Sequence, residues 1–311
     1  MRYGIPYMGS KSRIAKYVCN IFPSASNFYD LFGGGFAISH CMIKHRQKDF
    51  KNFIYNDLRP GLPQLIQDAI AGKYNYKNFR PEFITRDVFN AKKNEDIYIK
   101  LIWSFGNDGR SYLFGKDIEK QKESLHNAIV FNLFDEFAKE FFRCECFKHD
   151  ISITDRRFYS RSMCLGRCDI QQLEQLQHLQ QLQQLERLQK LERIQKLQQL
   201  ERISFLNIDY KSVKIEDESV IYCDIPYRGT AEYDRNIGFN HNEFFDWASE
   251  QKCPVFISEY NIDDERFSLV FKKEIKSMMS SKCKVKSLEK VYANKIGFNA
   301  FLKRRVTSVN A

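Results

Sequence analysis

Apolar and polar positions change rhythm three times along the chain. Short apolar runs, rich in β-branched and aromatic residues, occupy residues 27–32, 53–57, 205–210, 220–222 and 254–258 and read as strands. Residues 285–292 and 300–306 read as closing strands. Residues 36–46 and 242–250 read as helices. From about residue 73 to 169 the spacing is helix-like, as in Ile97, Leu101 and Ile102. Residues 171–202 follow a third rhythm: Leu173, Leu176, Leu179, Leu182, Leu185, Leu188 and Leu191, continued by Ile194, Leu197, Leu200 and Ile203. Three residues turn an α-helix by about 300°, so the apolar stripe drifts by about −60° per repeat. Such a spiral has no single seam, which disfavours a heptad coiled coil. The intervening Gln, Glu, Lys and Arg are good helix formers. The segment is expected to be one long helix or a helical hairpin inserted by repeat expansion, with a spacer or protein-contact arm as its functional alternative.

The first strand runs into Gly33-Gly34-Gly35 and then a helix, the first half of a nucleotide-binding βαβ unit. The dinucleotide fingerprint wants a small residue where Ile38 stands, which disfavours a pyrophosphate-bearing cofactor. Asp30, Asp57 and Asp224 each fall at a strand end, and ligands of open α/β sheets bind beyond those ends. Asp57 is placed to accept ribose hydroxyls, and Asp209, near the end of the 205–210 run, to meet an adenine amine. A ribose without a pyrophosphate describes S-adenosylmethionine. Ser10 is a candidate N-cap, so Lys11 stands just inside a helix start, where the dipole disfavours a cation. Lys11 is either aimed at an anion or carboxylate or simply solvated.

Cys223-Asp224-Ile225-Pro226-Tyr227 closes the 220–222 run. It reads either as ordinary turn chemistry or as a grip on a flat amine-bearing substrate. In the second reading the acid and a turn carbonyl accept the N–H groups and the ring stacks.

Composition narrows the partner. The chain has 311 residues, 43% of them apolar, enough for one large domain or for one domain with a substantial insertion. A net charge of +10 points first to a polyanion such as nucleic acid, and 14% aromatics supply cores and stacking surfaces alike. Nine scattered cysteines and no apolar N-terminal leader point to reduced thiols in a cytoplasm. Cys144, Cys146, His149, Cys164 and Cys168 lack the common zinc-knuckle spacing and read as ordinary thiols, with no metal expected. No run of 18 apolar residues offers a membrane span. In the basic middle, residues 103–112 form a tight turn between aromatics. It is either a DNA-reading tip or a loop capping a helical subdomain. Asn107, Arg110 and Lys116 are its candidate DNA contacts, and Arg156, Arg157, Arg161 and Arg167 extend the charge toward phosphates.

In order and content these parts resemble the Dam-type DNA adenine methyltransferases. Tyr7-Met8-Gly9-Ser10-Lys11 is similar to the family's N-terminal motif, and residues 30–35 to its Phe-x-Gly-x-Gly motif. Asn56-Asp57 is similar to the second acidic motif, and Asp224-Ile225-Pro226-Tyr227 to the Asp-Pro-Pro-Tyr catalytic motif. The stretch around Trp103-Ser104-Phe105-Gly106-Asn107 resembles phage-type members. The resemblance implies an α/β Rossmann-like methyltransferase sheet with helices on both faces, formed by residues 1–72 and 204–311. It implies a mainly helical target-recognition region at 73–170, with the repeat at 171–203 as an insertion. Asp224, Pro226 and Tyr227 would be catalytic. Tyr7, Lys11, Asp30, Phe32, Gly33, Gly35, Asp57, Asp209 and Asp224 would hold S-adenosylmethionine. The implied partner is double-stranded DNA in a bacterial or phage-infected cell, and a restriction endonuclease partner is left open. Ile225 departs from the family pattern, which has proline there, but it keeps the backbone carbonyl that the chemistry needs.

Overall fold

The first two apolar runs pair directly, as buried strands must pair to satisfy their backbone groups. The computed structural model describes residues 3–148, 150–165, 182–197, 202–228, 238–276 and 286–309. β1 (Asn27–Asp30) lies parallel to β2 (Asn52–Asn56), with Phe28 opposite Phe53. β3 (Ile203–Leu206) extends the sheet beyond β2. β4 (Ser219–Asp224) flanks β1 on its other side, and β5 (Val255–Ser258) flanks β4, all parallel. β6 (Phe267–Lys276) and β7 (Lys286–Asn294) form an antiparallel hairpin, joined to β5 through β7. The order is β3-β2-β1-β4-β5-β7-β6, so the winding reverses at β1 and β4, where open sheets offer a crevice at their carboxyl ends.

In chain order the helices are α1 (Ala15–Cys19), α2 (Ala37–Arg46), α3 (Leu62–Ile70), α4 (Arg86–Lys92), α5 (Ile97–Ile102), α6 (Glu119–Phe131), α7 (Glu136–Phe142), α8 (Ile153–Leu165), α9 (Gln183–Ile194), α10 (His241–Glu250) and α11 (Lys295–Val309). Alternation along the strands sends side chains to two buried faces. On one, Tyr29, Ile221, Val255 and Ile257 pack with Phe244, Phe245 and Ala248 of α10. On the other, Phe22, just past α1, meets the rings of Phe28, Tyr222 and Phe256. The α/β fold of Rossmann-like methyltransferase type is therefore present.

Two strand readings need correction. Residues 300–306 are not a strand but lie within α11. Seven residues are too few to separate an alternating from a helical period. The helix is set at its start, where Asn294 accepts from the Gly297 amide at 2.8 Å. β3 ends at Leu206, so Asp209 does not stand at a strand end; it caps a short 3₁₀ turn by accepting from the Lys211 amide at 2.8 Å. β6 had no counterpart among the expected strands.

The chain divides into two compact units. One comprises Met1–Ile5, Gly9–Gln67 and Gln199–Ala311; the other comprises Pro6–Met8 and Asp68–Gln198. Within the second unit the described part of the leucine repeat is α9 and the turn after it. Leu182, Leu185, Leu188, Leu191, Ile194 and Leu197 are all buried. Within the helix, steps of about 300° turn successive side chains about 60° apart. The spiral thus suits a helix enclosed on every side, and the described residues form a core element in place of a spacer. Residues 171–181 lie outside the described residues.

Enclosure also draws in polar side chains of the repeat, and three of them meet partners. Arg187 donates to the carbonyls of Ile102 at 2.5 Å and Ser104 at 2.7 Å, groups that the end of α5 leaves open. Burial lowers the Arg187 pKa to about 10. Gln184 faces His126 at 3.4 Å, and Gln195 accepts from the Asn75 amide at 2.8 Å. Arg156 and Arg157 are not phosphate contacts: both are buried, and they donate to the carbonyls of Ile129 and Leu185. Arg167 and His149 lie outside the described residues.

Candidate active site

Asp30, Asp57 and Asp224 come from β1, the residue after β2, and β4, three neighbouring strands of the sheet. The expected gathering of strand-end acids around the glycine turn is thus realised in the first unit. Each acid has a different environment. Asp30 is buried; its Oδ2 accepts from the Ser39 hydroxyl at 2.6 Å and the Ser39 amide at 3.2 Å, in the first turn of α2. Its Oδ1 is buried without a partner among the described residues. Burial first, opposed by Ser39, raises the Asp30 pKa to about 7. Asp57 accepts from the Gly34 amide and the Arg59 amide, each at 2.9 Å. Burial raises its pKa against those bonds.

The glycine turn is shaped from below. A Cβ on Gly33 would lie 2.2 Å from the Tyr55 ring, while the Tyr55 hydroxyl donates to the Gly34 carbonyl at 2.7 Å. Gly4, at φ +72°, brings the N-terminal strand of chain against the Gly35 carbonyl, where a Cβ would sit 2.1 Å away. Phe32 packs into the core beside Tyr210 and Phe244.

Lys11 settles one of the open alternatives. It opens a short 3₁₀ helix capped by Ser10, and its Nζ lies 2.9 Å from Asp224 Oδ1. The lysine is aimed at a carboxylate. The same ammonium stands over the Tyr227 ring, 4.7 Å from its centroid. Burial pulls the Lys11 pKa down, but Asp224 and then Glu289 outweigh it and hold it raised. The Asp224 carboxyl is raised by burial, with Lys11 pulling the other way.

The aromatic of the motif is held from several sides. The Tyr260 ring meets Tyr227 edge-on, with centroids 4.4 Å apart. The Tyr227 hydroxyl donates to Glu289 Oε2 at 3.2 Å. The Pro226 carbonyl is 2.7 Å from His241 Nε2. Glu259 is buried and accepts from the amides of Arg228 and Tyr260, tying the turn after β4 to the turn after β5. Ile225 buries its side chain in the core with Phe244 and Phe245. That packing gives the apolar side chain a structural use where the family has proline. Glu259, His241, Tyr260 and Glu289 had no place in the sequence-derived site. Ser258-Glu259-Tyr260 at the end of a strand carried a signal of the same kind as Asp224.

The other expected site residues are placed as follows. Tyr7 groups with the second unit, and Asp209 is exposed on its turn. In the second unit Asn107 donates to the Leu101 carbonyl at 2.7 Å, so its amide caps α5. Arg110 and Lys116 are exposed. The stretch Arg228-Gly229-Thr230 and Tyr233, which reads from the sequence as a flexible loop, lies beyond Arg228 outside the described residues. Among the described residues no group of His, Cys, Asp or Glu side chains is arranged to hold a metal ion, and no helix is long and apolar enough to cross a membrane.

The donor set fits a nucleoside cosubstrate with a cationic tail. Asp30 Oδ1 is an orphaned acceptor, Asp57 keeps free lone pairs beside the glycine turn, and three acids offset positive charge. Sheet order and site together define a methyltransferase of the Rossmann-like class. The chain belongs to the D12 class N6 adenine-specific DNA methyltransferase family, whose profile matches residues 7–299. It is an adenine-specific DNA methyltransferase, with DNA as its substrate. No curated protein sequence matches the chain.

Proposed function

We propose that the protein transfers a methyl group from S-adenosylmethionine to the exocyclic amine of an adenine rotated out of double-stranded DNA at a specific sequence. The observation that carries this reading is the Lys11 ammonium, 2.9 Å from Asp224 and over the Tyr227 ring. A nitrogen with N–H donors already occupies the place an adenine amine would take.

In the reaction the amine replaces Lys11 on Asp224, which accepts one N–H while the Ile225 carbonyl accepts the other. Pro226 biases Ile225 to an extended backbone, and His241 at the Pro226 carbonyl fixes the turn. Tyr227 stacks on the base, a contact worth about 1–3 kcal/mol. This offsets part of the cost of unstacking, a few kcal/mol. The two acceptors draw the nitrogen lone pair out of ring conjugation and toward the methyl group. S-adenosylmethionine supplies that methyl on a positively charged sulfur, which leaves as a neutral thioether. As the N–C bond forms, the amine proton passes to Asp224. Positioning supplies much of the rate.

Asp57 is assigned the ribose hydroxyls, and Asp30, Phe32, Gly33 and Gly35 the wall beside the methionine moiety. Tyr7, Lys11 and Asp209 complete the cosubstrate set that the family resemblance implies. Residues 73–170 are assigned to target recognition, with Asn107, Arg110 and Lys116 meeting DNA. The chemistry belongs to the cytoplasm of a bacterial or phage-infected cell.

Labelled-methyl transfer into duplex DNA, followed by identification of the modified base, tests this. Asp224→Ala is expected to lower the rate by at least about 10³-fold, since it removes a group that acts on the reacting atom. DNA affinity should stay within a few-fold. A variant that methylates at the wild-type rate removes Asp224 from the mechanism, and methylcytosine as the product removes adenine.

A further inference from the structure

One carboxylate at the site has no part in the chemistry just described. β7 runs antiparallel to β5, with Val291 opposite Ser258, and Ser258 is level with Asp224 across β4 and β5. The residue two positions before Val291 therefore overhangs the carboxyl ends of the parallel strands, on the same face as Val291. That residue is Glu289. Its side chain is 14% exposed and lies 3.7 Å from Lys11 Nζ. It also accepts the Tyr227 hydroxyl at 3.2 Å. Two carboxylates thus share one ammonium, and Asp224 has the closer hold.

Methyl transfer disturbs this arrangement. Once the target amine takes Asp224, the Lys11 ammonium loses its nearer counter-charge in a largely enclosed site, which is costly. We infer that Glu289 is a positioning residue for the reaction: it receives the Lys11 ammonium as the amine displaces it from Asp224, and it holds the Tyr227 ring by its hydroxyl. This role rests on the placement of the amine at Asp224 proposed above. Lys11 needs to move by less than the length of a hydrogen bond to change carboxylates. A neutral acceptor would serve Tyr227 equally well, so the charge at residue 289 is what Lys11 requires. Glu289 also repels the Asp224 carboxylate and so opposes its ionisation.

Glu289→Gln separates the two duties, because the amide still accepts from Tyr227 but no longer balances Lys11. Steady-state methylation of a defined duplex should show kcat lowered about 10- to 100-fold, the loss expected for a charge-assisted contact. KM for DNA and for S-adenosylmethionine should stay within about threefold. The acid limb of the kcat–pH profile should move to lower pH, since Lys11 then acts on Asp224 alone. Glu289→Asp should recover part of the lost kcat. A Glu289→Gln enzyme with wild-type kcat and an unmoved acid limb overturns the role. So does one whose kcat and both KM values worsen together with an unmoved limb, which marks a structural residue. Asp224→Ala, assayed in parallel, separates the failures. If it is inactive while Glu289→Gln is normal, only the role of Glu289 falls; if it is active, the active site itself is misassigned.

Discussion

The end of β4 and the helix α9 are both densely packed, yet they distribute importance in opposite ways. At Asp224-Ile225-Pro226-Tyr227 each position has a separate task, and neighbours cannot exchange. Asp224 carries the charge, Ile225 fills the core beneath it, the Pro226 carbonyl is held by His241, and Tyr227 is pinned at its hydroxyl. In α9 and the residues that flank it, six leucine and isoleucine positions do the same thing, each turned from the last. Chemistry concentrates information at single residues, whereas enclosure spreads it over a period.

The sharpest way to break this comparison is the pair Asp224→Ala and Arg187→Leu. The first should remove activity, with a smaller cost in unfolding free energy than the second because Glu289 remains beside Lys11 as a counter-charge. The second should lower the stability of the second unit by about 3–5 kcal/mol in chemical denaturation, because it orphans buried carbonyls at the end of α5. A stable Arg187→Leu protein would show that those carbonyls find other donors. Next come Leu185→Ala, Leu188→Ala and Leu191→Ala, each expected to cost about 2–4 kcal/mol. Their side chains leave the helix about 60° apart, so one near-neutral member would expose an open side of α9.

A smaller effect contrasts a charge buried in the first unit. Asp30 has a folded-state pKa near 7, above the ordinary carboxylate value of 3.8. The folded state therefore binds the proton more tightly than the unfolded chain does. The Asp30 contribution is most favourable below about pH 4 and is lost as pH rises to about 7, by on the order of 2 kcal/mol between pH 5 and 7. Asp30→Asn should flatten that slope, as read by denaturation at a series of pH values. The smallest effect belongs to Leu133→Ala, whose side chain is 64% exposed and should change stability by no more than about 0.5 kcal/mol.

Strand ends were legible in the sequence because a carboxylate closing an apolar run stands out against it. Asp30, Asp57 and Asp224 were found in this way, and Lys11 by its misfit with a helix start. Glu289 was not, because Ser287-Leu288-Glu289-Lys290 reads like any solvated strand face. Only the reversed direction of β7 brings it over the site, and strand direction is a tertiary property. Asp209 misled as a strand end for the opposite reason, as a local turn took the carboxylate that a longer strand would have presented. The helix α11 had a readable signal in Asn294, which was outweighed by the apolar residues of a segment too short to show its period. The enclosure of α9 could be calculated as a rotation, but a spiral alone does not say what surrounds it.

That spiral has a consequence for how the chain finds its threading. Adding or deleting one triplet shifts a helix by about 4.5 Å and turns it by about 60°, yet leaves the hydrophobic sequence superimposable on itself. Leucines of this kind cannot count. Counting falls to the polar side chains between them that meet fixed partners: Arg187 beneath α5, Gln184 against His126 and Gln195 against Asn75. A tract that looks like monotony is thus a vernier scale with three engraved marks, and its copy number is adjustable only where those marks keep their neighbours.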